Sequence, residues 1–230
     1  MIAIISDIHA NFPALQAVID DIESRGIKRI FSLGDVCGYH SMINECIDLL
    51  REKNVTNILG NHDYYMINGI EKTRSNVANK TLAFQRKIIT DKNLQWLRNS
   101  IPFYKDFQSY MVHGAFTENG TDTYLFSVCE EMFAPFEQKY FFAGHTHVQT
   151  LIKFDNDKYF CNPGSVGQPR DGDNRASYAI LNEKIELIRL NYDIDMIAED
   201  MKKNGFDEPL YQNLYMGTAI SGKIYSIGIA

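Results

Sequence analysis

Apolar runs of strand length alternate with stretches of helical period through the first third of the chain. Met1-Ile5 reads as a strand; Asn11 then offers an N-cap and Pro13 suits a first turn. Leu15, Val18, Ile19 and Ile22 recur at helical spacing until Gly26. Arg29-Leu33 reads as a second strand, Ile43, Cys46, Ile47 and Leu50 as one face of a second helix, and Val55-Leu59 as a third strand. That β-α-β-α-β order predicts a parallel sheet flanked by helices. A helix is expected around Val77-Ile89, and a shorter one, capped by Asp91 and carrying Leu94 and Leu97, before Pro102.

From Phe103 the period shortens to that of strands: Tyr110-Val112, Tyr140-Ala143, Gln149-Phe154, Lys158-Cys161, Ser177-Leu181 and Ile185-Leu190. Asn156-Asp157 and Asn182-Glu183 fit hairpin turns. Ile194-Asn204 closes as a helix before Gly205, and the stretch to Ala230 carries no assignable pattern. Two sheets between helices satisfy this order, one mainly parallel and the other richer in hairpins. With no repeat and no Pro/Gly/Ser linker, residues 1–230 are expected to form a single domain.

Polar residues fall where such a sheet would bind a ligand. Five apolar runs end in clusters of donors: Asp7 and His9; Asp35; Asn61, His62 and Asp63; His113; and His145 and His147. In open α/β sheets the crevice lies outside the carboxyl ends of the strands, so these clusters would converge. Five of the six histidines lie in them, and only His40 falls outside. Read as extended backbone, Asp7/His9 and His145/His147 would each point to one side and serve neighbouring metals. D-x-H or G-D alone is ordinary loop chemistry, whereas G-N-H-D and G-H-x-H are sharper. All five in order leave little room for a bland reading.

Composition changes the picture only slightly. The chain is 45% hydrophobic and 23% charged, with a net charge of -6, which disfavours long nucleic acid as a partner. No apolar stretch approaches a membrane span, and the N-terminal run is too short and not basic enough for a signal peptide, so a cytoplasmic location is expected. Cys37, Cys46, Cys129 and Cys161 lie far apart and read as reduced thiols.

The motifs D-x-H, G-D, G-N-H-D, H and G-H-x-H, from Asp7 to His147, resemble those of the calcineurin-like metallophosphoesterase superfamily. Asn162-Gly167 is similar to the loop that follows in its small prokaryotic YfcE-type and diadenosine-tetraphosphatase-related branch. The resemblance implies a four-layer α-β-β-α sandwich of two mixed β-sheets, with a two-metal site at one edge. It also implies that Asp7, His9 and His147 bind one divalent ion and Asn61, His113 and His145 the other, with Asp35 bridging. His62 would stand by the leaving-group oxygen, oriented by Asp63.

The expected activity is hydrolysis of small soluble phosphate mono- or diesters by a hydroxide shared between the metals. Imidazole and oxygen donors without thiolates suit Mn²⁺, Fe, Zn²⁺ or Co²⁺ better than Mg²⁺ or Ca²⁺. Of these Mn²⁺ is the expected ion, with Ni²⁺ a further alternative. Arg170 and His40 are candidate substrate contacts. The blander readings are an Arg170 paired with Asp171 or Asp173 on a solvated loop, and an exposed His40. The aromatic stretch from Tyr124 to Phe142 is read as core or subunit interface, which leaves a homo-oligomer open. A nuclease and a catalytically inactive scaffold on the same fold are the competing functions. This chain departs from the family pattern at Ala10, where glycine is usual, and at Gly38-Tyr39-His40 on the pocket rim.

Overall fold

Successive residues of the first strand face different cores, and that alternation sets the architecture. The computed structural model describes residues 1–69, 76–118 and 120–230. In β1 (Ile2–Ile5), Ala3 and Ile5 pack towards helices α1 (Phe12–Ser24) and α2 (Ile43–Glu52), whereas Ile4 packs towards a second sheet. Strands β2 (Arg29–Ser32) and β3 (Thr56–Asn57) run parallel to β1. The hairpin of β10 (Ala176–Leu181) and β11 (Ile185–Leu190) adds antiparallel strands on the other side of β1. The order of this first sheet is β11-β10-β1-β2-β3. Strands buried on both faces read as continuous apolar runs, as Ile2–Ile5 does.

The second sheet has the order β4-β5-β7-β9-β8. Its parallel centre is β5 (Ser109–Val112), β7 (Tyr140–Ala143) and β9 (Tyr159–Pro163). Antiparallel β4 (Tyr104–Lys105) and β8 (Gln149–Lys153) form its edges. The sheets are therefore equally mixed, with two parallel and two antiparallel pairings each. The expected division into a parallel sheet and a hairpin sheet fails because the β10–β11 hairpin, late in sequence, joins the first sheet.

Between the sheets, Ile4, Phe31 and Leu33 meet Met111, Phe142 and Cys161 in one buried cluster. The α-β-β-α layering implied by the resemblance is present, with a thin fourth layer. Over the second sheet lies the aromatic segment around Phe116, Phe133 and Phe136, with a 3₁₀ turn at Glu130–Met132. Of the stretch from Tyr124 to Phe142, read from sequence as core or subunit interface, Leu125, Val128, Phe133, Tyr140, Phe141 and Phe142 are buried, whereas Tyr124 and Met132 are exposed.

Helix α3 (Asn61–Asn68) starts where the sequence suggested only the end of a strand. It is followed by α4 (Asn76–Ile88) and α5 (Asp91–Arg98); Thr90, not Asp91, caps α5, its hydroxyl accepting from Asn93 N–H at 3.3 Å. Helices α6 (Ile194–Lys203) and α7 (Pro209–Gln212) lead into the C-terminal segment. The short strand β12 (Gly228–Ile229) of that segment pairs with β6 (Ser127–Val128). No helix among the described residues is long and apolar enough to cross a membrane.

Candidate metal centre

The carboxyl ends of β1, β2, β5 and β7 converge, and their first loop residues turn sharply inward. Asp7, His9, Asp35, His145 and His147 all have positive φ, between 51 and 66°. The extended reading of the D-x-H and H-x-H pairs is thus corrected: left-handed turns, not pleating, aim these side chains. Such φ values cost about 1–2 kcal/mol each in L-residues, and backbone bonds offset them. Asp7 N–H donates to Gly34 C=O at 3.0 Å, and His9 N–H to Asp35 C=O at 2.9 Å. Glycine is required at Gly144, where a Cβ would lie 2.1 Å from Ser6 Oγ.

Each buried aspartate spends one oxygen on the fold and turns the other inward. Asp7 Oδ2 accepts from Ser6 Oγ at 2.7 Å and His145 N–H at 3.0 Å, while Oδ1 has no hydrogen-bond partner. Asp35 Oδ1 accepts from His62 N–H at 2.8 Å. Its Oδ2 stands 3.4 Å from His113 Nε2, 3.8 Å from His9 Nε2 and 4.0 Å from His62 Nε2. Burial works to raise both carboxyls, yet His147 beside Asp7 and His113 beside Asp35 hold them at about 2.

The imidazoles are locked by the main chain. Nδ1 of His9, His113 and His147 lies 2.7, 2.9 and 2.7 Å from the carbonyls of Cys37, Leu33 and Gln168. A carbonyl only accepts, so each Nδ1 carries a proton. Nε2 of His9 and of His147, which burial keeps neutral, presents a lone pair. His113, lowered by burial but raised on balance to about 9 by Asp35 and Asp7, frees its Nε2 lone pair only where a metal ion displaces the second proton. Yet His9 Nε2 and His147 Nε2 are 3.1 Å apart, and His113 Nε2 is 3.1 Å from Asn61 Oδ1 and 3.2 Å from His145 Nδ1. Ring nitrogens and an amide oxygen held this close repel one another unless a proton or a metal ion lies among them. Two groups result that could hold metal ions: Asp7, His9 and His147; and Asp35, His113 and His145. All seven side chains singled out in the sequence come together here, and no cysteine is among them.

His62 packs against His9, with ring centroids 5.0 Å apart, and its Nδ1 has no hydrogen-bond partner. Burial lowers its pKa, Arg170 and His147 lower it further, and Asp35 opposes them. Asp63 does not orient it, which corrects the sequence expectation. The Asp63 carboxylate instead accepts from the N–H groups of Val36 at 2.9 Å and Cys37 at 3.1 Å, clamping the loop after Asp35.

His40 is fully buried rather than an exposed loop histidine, its Nδ1 2.7 Å from the His9 carbonyl. It braces the turn that carries a ligand candidate. Arg170 is also buried, and the surface ion pair is ruled out because Asp171 pairs with Arg189 and Asp173 with Arg175. Its guanidinium lies 5.3 Å above the Tyr39 ring and donates to Gln168 Oε1 at 2.6 Å, leaving Nε without a partner.

Three contributors are not singled out as site residues by the sequence, although it places Tyr39 on the pocket rim. Tyr39 packs edge-on to His9, Tyr124 stacks on His145 with centroids 3.8 Å apart, and Tyr225 N–H donates to Arg170 C=O at 2.8 Å. A cavity of about 390 Å³ opens beside Asn61, lined also by Tyr64, Tyr65 and Asp122.

Known proteins are similar to this chain in sequence and fold. The chain is 38% identical to an uncharacterized protein of Methanocaldococcus jannaschii, over 94% of this chain and 98% of that one. A metallophosphoesterase crystal structure from Sphaerobacter thermophilus superposes with a TM-score of 0.82 at 32% identity, covering 94% of this chain and 99% of the other. A hypothetical protein of Pyrococcus horikoshii, at 21% identity, shares the fold with a TM-score of 0.78 over 94% of this chain and 99% of its own. Residues 1–185 match the calcineurin-like phosphoesterase superfamily domain, and the chain belongs to that superfamily.

Proposed function

We propose that this protein hydrolyses phosphate mono- or diesters of small soluble molecules with a pair of divalent ions, Mn²⁺ foremost. One observation carries the reading: Nε2 of His9 and of His147, both lowered in pKa by burial, held 3.1 Å apart beside the inward oxygen of Asp7, a donor set suited to a cation. Asp7, His9 and His147 would hold one ion and Asn61, His113 and His145 the other, with Asp35 Oδ2 between the groups. Such ions, when bound, acidify water and balance charge on the phosphoryl oxygens.

The chain supplies the rest. Two carboxylates among otherwise neutral ligands leave the pair of ions under-neutralised, an attractive well for phosphate in an acidic protein. Arg170, its Nε without a partner, would bind a non-bridging phosphate oxygen. His62, neutral at pH 7 because of its burial, would hydrogen-bond the leaving oxygen through Nε2. The cavity beside Asn61 is of a size to take a small alcohol portion.

The direct test is turnover of p-nitrophenyl phosphate and bis-p-nitrophenyl phosphate by chelated and Mn²⁺-loaded protein. Activity on at least one ester is expected only after loading, and Asp35→Asn should abolish it. Two bound ions with no turnover of either ester, or of a wider panel of small phosphate esters, would instead favour the scaffold reading.

A further inference from the structure

Among the four metal-facing histidines His145 is turned over. His9, His113 and His147 give Nδ1–H to main-chain carbonyls and face the centre with Nε2. His145 faces His113 Nε2 with Nδ1, at 3.2 Å, so where Nδ1 holds a metal ion the ring proton must sit on Nε2. That Nε2 is buried and has no hydrogen-bond partner among the described residues. Tyr124 lies flat on the ring at 3.8 Å and limits its tilt, so the Nε2–H direction is confined to the ring plane. The carboxylate in reach is Asp122, whose Oδ1 stands 3.9 Å away in the 3₁₀ turn Gly120–Asp122. Tyr65 Oη donates to the other oxygen of Asp122 at 3.2 Å.

We propose that Asp122 is a positioning residue for the metal centre: it accepts the Nε2 proton of His145, fixes that tautomer and strengthens Nδ1 as a donor. Closing the gap takes a shift of about 1 Å by a carboxylate on a partly exposed turn, to reach ordinary N–H···O length. A charged acceptor behind an imidazole raises its basicity towards a metal, and loss of such partners typically weakens metal binding about 10–100-fold. The three backbone-bonded histidines lack this lever, because a carbonyl carries no net charge. The inference rests on the metal-centre reading and adds an asymmetry to it, since the ion held by His145 becomes the one that responds to Asp122. Asp122 also lines the cavity beside Asn61, which puts this lever next to the space proposed for substrate.

Calorimetric titration of Mn²⁺ into wild type, Asp122→Ala and Asp122→Glu tests it, with melting temperatures to confirm folding. In Asp122→Ala one ion should bind about 10–100-fold more weakly while the other changes by less than about 2-fold, and Asp122→Glu should recover most of the loss. Long-range ¹H–¹⁵N correlation of the imidazoles in Zn²⁺-loaded protein should put the His145 proton on Nε2, and its resonance should move in Asp122→Ala. Unchanged affinity for both ions in a folded Asp122→Ala, equal weakening of both, or a proton on His145 Nδ1 overturns the proposal. Should wild type bind no pair of ions, the metal reading is what fails. The same spectra of metal-free protein then decide the Asp122 contact, which stands if the Nε2–H resonance moves and falls if it does not.

Discussion

At the scale of the residue, the site is a set of strained turns held by their own backbone. Ala10, with φ 54°, joins the ligand candidates in the left-handed region, and its N–H donates to Val36 C=O at 2.8 Å. Residue types and order announced the donors, because Asp, Asn and His at five strand ends have few other uses. Their conformation was not legible: alternation along a strand predicts pleating, and nothing in D-x-H says that the strand has already ended. Nor did the sequence reveal that Asp63 serves amides rather than His62, since one carboxylate suits either task. His62 is the residue whose role is most open to test. His62→Ala should keep both ions and lose about 10²–10⁴-fold in kcat on an ester with a poor leaving group. Wild-type turnover by the variant would remove His62 from the chemistry.

At the scale of the element, each sheet contributes the carboxyl edge of its parallel strands, and the connections fix how those edges meet. Asn11 is one such connector. Its Oδ1 caps α1 by accepting from Ala14 N–H at 3.3 Å, and its Nδ2 donates to Gly167 C=O at 2.8 Å in the loop after β9. Capping and a buried carbonyl left without a donor together make Asn11→Ala cost about 2 kcal/mol, read from urea unfolding with an unchanged m-value. A change below about 0.5 kcal/mol would show that the loop is held elsewhere. The helix cap was readable, being a local Asn-x-Pro pattern, whereas the second bond spans 156 positions and no local pattern encodes it. The same reason hid β12, a two-residue strand paired with β6 from a distant part of the chain. Helix α3 escaped because the donors at its start mask its helical period.

At the scale of the whole molecule, a chain of net charge -6 concentrates its histidines where cations are expected. This makes stability without metal depend on pH in a definite way. Burial drives His9, His40, His62, His145 and His147 below their ordinary 6.5, so their share of stability is present above 6.5 and lost as pH falls. His113 goes the other way: burial would lower it, but Asp35 and Asp7 raise it to about 9, so its share is present below 6.5 and lost as pH rises through 9. With chelator, the melting temperature should therefore peak near pH 6.5. With Mn²⁺ the peak should move upward, because metal binds the deprotonated ligands. A chelated protein that grows steadily more stable from pH 6 to 9 would contradict these environments.

The number of ions bound is the most direct test of the central claim. Protein stripped by chelator and equilibrated with saturating Mn²⁺ should retain two ions per chain by metal analysis, and His147→Ala should retain one tightly. A wild-type protein that saturates at a single ion, or binds none, would contradict a paired metal centre built from these side chains.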